Sequence, residues 1–228
     1  MHYIIFYQIC ADFGTKNAVF TGTNGNALGG QFTAQNMPWA ATVIDVGGVV
    51  TDKIKLTAID TYDTPGQGGV WGASQIVIIA TYVNQWQQPV WTGPTNSHGT
   101  VSATHQWGPH SPWNAFDGNA QAHPDFAAMT AFGTELTLQL NYNIKVYYII
   151  FYQICADFGT KNAKFTGTNG IALGGQFTAQ NTPWAATVID VGGVVTSKIT
   201  LNALSTYDTP GQGGVWGASQ IVIIAEKV

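Results

Sequence analysis

The sequence predicts an all-β fold, a sandwich or jelly roll, on three observations. Runs of β-branched and aromatic residues lie between clusters of Gly, Asn, Asp and Pro. Thr134–Leu140 (TELTLQL) alternates apolar and polar side chains. No stretch carries a sustained 3.6-residue apolar period bounded by capping residues. Short strands with turn signals at this spacing belong to sandwiches and jelly rolls.

Taken in order, the strands are placed by their own residues. Thr134–Leu140 is the alternating one, and Tyr148–Ile154 (YIIFYQI) follows it. Lys198–Leu204 (KITLNAL) and Ile221–Ala225 (IVIIA) close the chain. Residues 2–80 repeat as residues 147–225 with only nine differences: His2/Tyr147, Val19/Lys164, Asn26/Ile171, Met37/Thr182, Asp52/Ser197, Lys55/Thr200, Thr57/Asn202, Ile59/Leu204 and Asp60/Ser205. In the strand Lys53–Ala58, Lys55 and Thr57 vary while Ile54, Leu56 and Ala58 do not. That is period two, with the unchanged side chains facing a core. Val19/Lys164 and Asn26/Ile171 mark solvent-exposed positions, because burying a lone Lys is costly.

The repeat sets the organisation. Its offset is 145 residues in a chain of 228, so the chain holds one and a half copies in the order second half, first half, second half. The expected divisions are a repeated half unit over 1–82, a linker over 83–94 and one complete unit over 95–228. Trp86 and Trp91 lie in the linker and are expected to pack back on a domain, with a contact surface as the alternative.

Composition excludes several function classes. Charged residues make up 9% of the chain, against roughly 25% for an ordinary soluble domain. All eight basic residues are Lys, and the net charge is −4. Phosphate contacts want dense Lys and Arg, and Arg is the usual reader of bases, so no nucleic-acid partner is expected. No apolar run approaches the ~18–20 residues of a membrane span. The first residues, MHYIIFYQIC, carry no basic segment and no small-residue cleavage site, so a signal peptide is not expected there. Low charge with abundant Gly, Thr, Asn and aromatics points to an extracellular or particle-surface protein. Cys10 and Cys155 occupy the same place in the two copies. Each is read as a small buried thiol, with an interchain bridge as the alternative.

Five segments, in register from about Ser97 to Val228, resemble the F5/8 type C (discoidin) domain, nearest to the family 32 carbohydrate-binding modules. Asn114–Asn119 (NAFDGN) is similar to that family's Asn-Ala-aromatic-Asp-Gly-Asn segment. Leu136–Tyr142 followed by Tyr147–Gln153 resembles its central strand pair. Lys161–Gly170 (KNAKFTGTNG), Thr196–Tyr207 (TSKITLNALSTY) and Val215–Ile223 (VWGASQIVI) resemble its later strands. Residues 2–80 match only the second half of the pattern. The resemblance implies an antiparallel β-sandwich of jelly-roll type, galactose-binding-domain-like, whose loops at one end take a glycan.

It also implies site residues. An aromatic just before the closing segment stacks on sugar in the relatives; Trp216 stands there, and Trp71 in the first copy. A flat indole suits the apolar face of a sugar ring. Trp107 and Trp113, with His105 and His110, fall in the loop that in the family carries a ligand-facing His. Trp216 reads equally as a core indole, and ordinary loop packing is the favoured alternative for the loop. The relatives' arginine is missing: Ile154 and Cys155 fill its region, and an aliphatic side chain cannot make a guanidinium's bidentate hydrogen bonds. Asp208, with Gly211–Gly214, is a substitute source of polar contacts.

The family also implies a structural Ca²⁺, held between the Asp-Gly-Asn segment and a closing Glu. Asp117 is retained, but the Glu position is Gln220 (Gln75 in the first copy). Ca²⁺ takes about 6–8 oxygens, carboxylates among them; the competing reading is that Asp117 closes a turn. Catalysis is not expected. Gly-x-Ser-x-Gly, His-Glu-x-x-His and Cys-x-x-Cys are all absent, and the sparse acids show no glycosidase spacing.

Two functions follow as expectations. The first is a non-catalytic, extracellular carbohydrate-binding or adhesion module. The second is a structural subunit of a filament, fibre or particle surface. There, residues 2–80 take a first half from a neighbouring chain and assemble head to tail. Pairing of residues 2–80 with the chain's own first half, as a circular permutant, is the competing arrangement.

Overall fold

The structure, a computed structural model, describes residues 1–12, 14–51, 53–63, 69–80, 86–119, 126–130, 133–154, 159–207 and 214–228. Asp208, Cys155, His123 and Asp125 lie outside them. The chain divides into two compact units, Met1–Val83 and Asn84–Val228. Among the described residues both are built of antiparallel β-strands, with two short 3-10 turns in the second.

The described residues of the first unit form six strands: β1 (Tyr3–Tyr7), β2 (Thr15–Thr21), β3 (Ala27–Thr33), β4 (Ala41–Asp45), β5 (Lys55–Thr61) and β6 (Gln75–Ile79). β1 pairs with β4 on one edge and β6 on the other. β2 lies between β3 and β5. Ile4 and Phe6 of β1, Ala18 and Phe20 of β2, and Leu28 and Phe32 of β3 belong to its core. Phe32 stacks on Phe20 at 5.5 Å.

Those of the second unit form nine strands: β7 (Thr95–Asn96), β8 (Gly99–Ala103), β9 (Ala127–Met129), β10 (Glu135–Tyr152), β11 (Thr160–Thr166), β12 (Phe177–Thr178), β13 (Ala186–Thr206), β14 (Trp216–Ala218) and β15 (Gln220–Lys227). β10 is its spine. One edge pairs along its length with β13; the other carries β8 on Leu136–Leu140 and β15 on Ile144–Tyr152. β11 flanks β13, and β14 pairs with β9. One core takes residues from both halves, among them Leu136, Leu138, Ile149, Phe151, Leu201, Ile221 and Ile223.

The predicted strands fall on β10, β13 and β15, but two boundaries differ. Thr134–Leu140 and Tyr148–Ile154 fuse into one 18-residue strand. Its partner β13 is likewise continuous over 21 residues, whereas the corresponding sequence in the first unit gives separate β4 and β5. The cause is pairing: Ile144–Val146 lie in register with the middle of β13 at Val194–Thr196. Of those three residues only Val146 has a counterpart in the first copy, Met1, whose amino group donates to Val49 O at 3.0 Å.

Residues 86–94, expected as a linker, belong to the second unit. Trp86 and Trp91 are buried in its core. Trp86 N–H donates to Ala225 O at 2.9 Å. Gln88 Nε2 donates to Ile221 O at 2.8 Å, and Ile223 N–H donates to Gln88 Oε1 at 2.6 Å. The segment thus satisfies the outer edge of β15.

The exposed positions inferred from the repeat hold for Lys164, Asn26 and Ile171, and Val19 is half-buried. Thr200 departs from that pattern. It is buried and shares a 3.2 Å hydroxyl contact with Thr137, its cross-strand partner where β10 pairs beside β13 in the second unit. Cys10 is half-buried rather than fully buried. At the junction of the halves, Tyr147 donates its phenol to Glu226 Oε1 at 2.8 Å, and Lys145 Nζ lies 3.4 Å from the same oxygen.

Candidate functional site

The loop His105–Trp113 is built on β9. Trp107 N–H donates to Ala128 O at 2.9 Å, Thr130 N–H to His105 O at 3.1 Å, and Ala128 N–H to His110 O at 3.4 Å. Those bonds hold the loop as a partial strand, so its side chains have fixed directions. Pro112 then opens a 3-10 turn over Pro112–Phe116, where a missing N–H costs nothing.

Three rings form a column on this loop. Trp107 stacks on His110 at 5.0 Å with planes 9° apart, and His110 stacks on Phe126 at 4.1 Å and 12°. Phe126 is buried in a small apolar cluster with Ala128, Ile154 and Val215. The column starts in that cluster and ends at solvent, where Trp107 is 43% exposed. Ile154 plugs that cluster and is 1% exposed.

Other predicted site residues stand elsewhere. Trp216 is corrected: its indole is wholly buried, and Nε1 donates to Thr134 Oγ1 at 3.0 Å. β14 pairs it with Met129 inside the core, so it presents no face to a ligand. Trp113 is half-buried and packs on the same core. His105 is exposed on the loop. Trp71 belongs to the first unit, where it is 49% exposed. Asp208 lies outside the described residues.

The sequence reading missed Phe126 and Trp184. Phe126 supports the column, yet it lies far from His110 in the sequence, so no spacing rule connects them. Trp184 donates its backbone N–H to the Gln153 carbonyl at 3.0 Å, one residue from the Ile154 plug. It is 38% exposed with φ 56°, and its counterpart Trp39 is 68% exposed with φ 63°. A left-handed backbone at a bulky residue is strained and needs surrounding structure to hold it. The sequence signal was the repeated Pro-Trp-Ala-Ala in both copies.

The residues expected to hold Ca²⁺ do meet, but through a hydrogen bond. Gln220 Oε1 accepts Gly118 N–H at 3.1 Å, and Asp117 Oδ1 accepts Asn119 N–H at 2.8 Å, closing a turn. Among the described residues no three His, Cys, Asp or Glu side chains gather as a metal site. One carboxylate and one amide oxygen fall well short of a Ca²⁺ shell, so the described residues do not fit the ion.

No family model matches the sequence, and no curated protein matches it. Solved structures do resemble the chain. Its structural neighbours are family 32 carbohydrate-binding modules. The family 32 module of Clostridium perfringens NanJ, solved with galactose, is 19% identical, with a TM-score of 0.45, over 56% of this chain and 93% of that one. A Streptococcus pneumoniae fucose binding module is 12% identical, TM-score 0.44, over 57% and 92%. The C-terminal domain of a Bacteroides fragilis chitobiase is 16% identical, TM-score 0.47, over 64% and 99%. Among the described residues no helix is long and apolar enough to cross a membrane.

Proposed function

We propose that the chain is a non-catalytic carbohydrate-binding or adhesion module acting outside the cell, with Trp107 as its sugar platform. The observation that carries this reading is the column Trp107–His110–Phe126, which fixes an exposed indole face on a loop tied to β9. An immobilised ring gives contact area to a sugar's apolar face at little entropic cost. His105 on the same loop supplies a hydrogen-bonding imidazole, and Trp184, beside the Ile154 plug, a second ring. Ile154 removes the bidentate donor, so the ligand is a neutral glycan recognised by stacking and single hydrogen bonds. A glycan array of wild type and Trp107→Ala tests this. Binding lost in the variant supports it; binding that survives, or none at all in the wild type, counts against it.

A second reading, self-association of a structural subunit through residues 2–80, is favoured by a different observation. Val70, Trp71, Ile76 and Ile78 are 49%, 49%, 40% and 48% exposed in the first unit. Their counterparts Val215, Trp216, Ile221 and Ile223 are 7%, 0%, 1% and 2% exposed. Uncovered apolar sheet of this kind is a surface for association. Filaments in electron micrographs of the purified protein support head-to-tail completion by a neighbour's first half; isolated particles alone oppose it.

A further inference from the structure

The self-association reading leaves open what covers the first unit, and counting restricts the answer. Each chain carries two nearly identical second halves, 2–80 and 147–225, and one first half. In the second unit that first half is already used. If it moves to a neighbour's residues 2–80, it uncovers residues 147–225 of its own chain. However many copies exchange, one uncovered face per chain remains. Exchange therefore gains no buried area while costing the freedom of two molecules. The surface that occurs once per chain, in matching number and chemistry, is the uncovered face itself.

Its edge strand shows how two such faces meet. Among the described residues β6 ends its sheet, paired with β1 alone. Ile79 O accepts His2 N–H at 2.9 Å, so residue 79 turns its backbone inward, and residues 76, 78 and 80 turn theirs outward. The second unit shows what those outward groups bind. There the counterparts Ile221 O, Ile223 N–H and Ala225 O are taken by Gln88 and Trp86. In the first unit no such segment meets them among the described residues. The strand reads Gln-Ile-Val-Ile-Ile, uncharged and β-branched, without Pro or any other edge-blocking residue. Ile76 and Ile78 lie opposite Phe6 and Ile4, so they belong to the core-facing side, yet both are exposed.

We infer that the chain forms an isologous dimer through β6: two copies pair their β6 strands antiparallel and pack Ile76 and Ile78 of each against the other's uncovered face. The partner is a second copy of this chain, related by a twofold axis. The contact closes on itself, unlike head-to-tail growth. It rests on self-association through residues 2–80, with closure in place of head-to-tail completion, and is independent of the glycan reading.

Sedimentation velocity of the full chain over about a hundredfold range of concentration tests it. A monomer–dimer equilibrium with no larger species is expected. Ile78→Lys, and separately Ile76→Lys, should weaken the dimer by about tenfold or more, with far-UV circular dichroism unchanged. Val195→Lys, at an exposed position of the second unit, should leave it intact. Hydrogen exchange on the wild type gives a readout free of mutation. Peptides running from 75 into Thr81-Tyr82, which distinguish the first copy from the second, should exchange more slowly as concentration rises. A chain monomeric throughout overturns both this inference and the self-association reading. Open-ended polymers overturn the isologous dimer alone. A dimer that survives both Lys variants, with no concentration-dependent protection of β6, overturns the assigned surface while sparing self-association.

Discussion

Trp216 donates its indole N–H to Thr134 Oγ1 at 3.0 Å across 82 residues of chain, and with that bond the ring is entirely buried. Residues 61–80 around Trp71 are identical to residues 206–225 around Trp216. Trp71 has no first half completing its unit, and it is 49% exposed. The repeat makes the pair an internal control: local sequence is constant, and only the covering half differs.

The two indoles should respond differently to removal. Trp216→Ala empties a core position and should cost the second unit about 3–5 kcal/mol. Trp71→Ala removes a half-exposed ring and should change unfolding by about 0.5 kcal/mol or less. Urea unfolding of the two variants, compared with wild type, reads the difference; equal effects would contradict the burial contrast.

Thr134→Val keeps the volume near Trp216 but leaves its buried N–H without that acceptor. A cost of about 0.5–1.5 kcal/mol is expected, the net worth of one hydrogen bond. Thermal unfolding should show it as a lowered midpoint of the second unit, with the first unit unaffected.

Trp107→Ala should weaken glycan binding by about tenfold, the scale of a single aromatic contact. Because Trp107 is 43% exposed, the variant's melting temperature should stay near that of wild type. Titration calorimetry with a glycan selected on the array separates the two effects, and an equal loss of binding in Trp216→Ala with the fold intact would move the site.

The Tyr147–Glu226–Lys145 cluster sets a pH dependence. The hydrogen bond from Tyr147, with lesser help from Lys145, holds the Glu226 carboxyl below its ordinary value. Its contribution to stability is therefore present above the ordinary carboxylate range and lost as pH falls through the lowered value. On the alkaline side, Tyr147 and then Glu226 raise the Lys145 ammonium, so that contribution is lost as pH rises through its raised value. Tyr147→Phe should lower the melting temperature at neutral pH and converge with wild type in strong acid. A difference that persists unchanged at low pH would refute this linkage.

Much of the site's outline was legible in the sequence, and its arrangement was not. The loop's aromatic and His content marked Trp107 and His110 before any contact was known. Nothing local could say that His110 rests on Phe126 or that Ile154 packs in the cluster beneath it, because both contacts join segments far apart in the chain. Asp117 and Gln220 were paired by the family pattern and do meet, yet through Gly118 N–H rather than an ion's oxygen shell.

The sequence by itself determined the β class, the strands and which side chains alternate toward a core, since period-two patterning and turn residues act over a few positions. It also determined that the chain has two faces and one cover. Only the tertiary structure decided which face is covered. That choice fuses the middle of β13, buries Trp216 on Thr134 and hides Ile221 and Ile223, while the same residues in the first unit stay open. Burial depends on what arrives from elsewhere in the chain, and identical segments take different fates when only one of them has that neighbour.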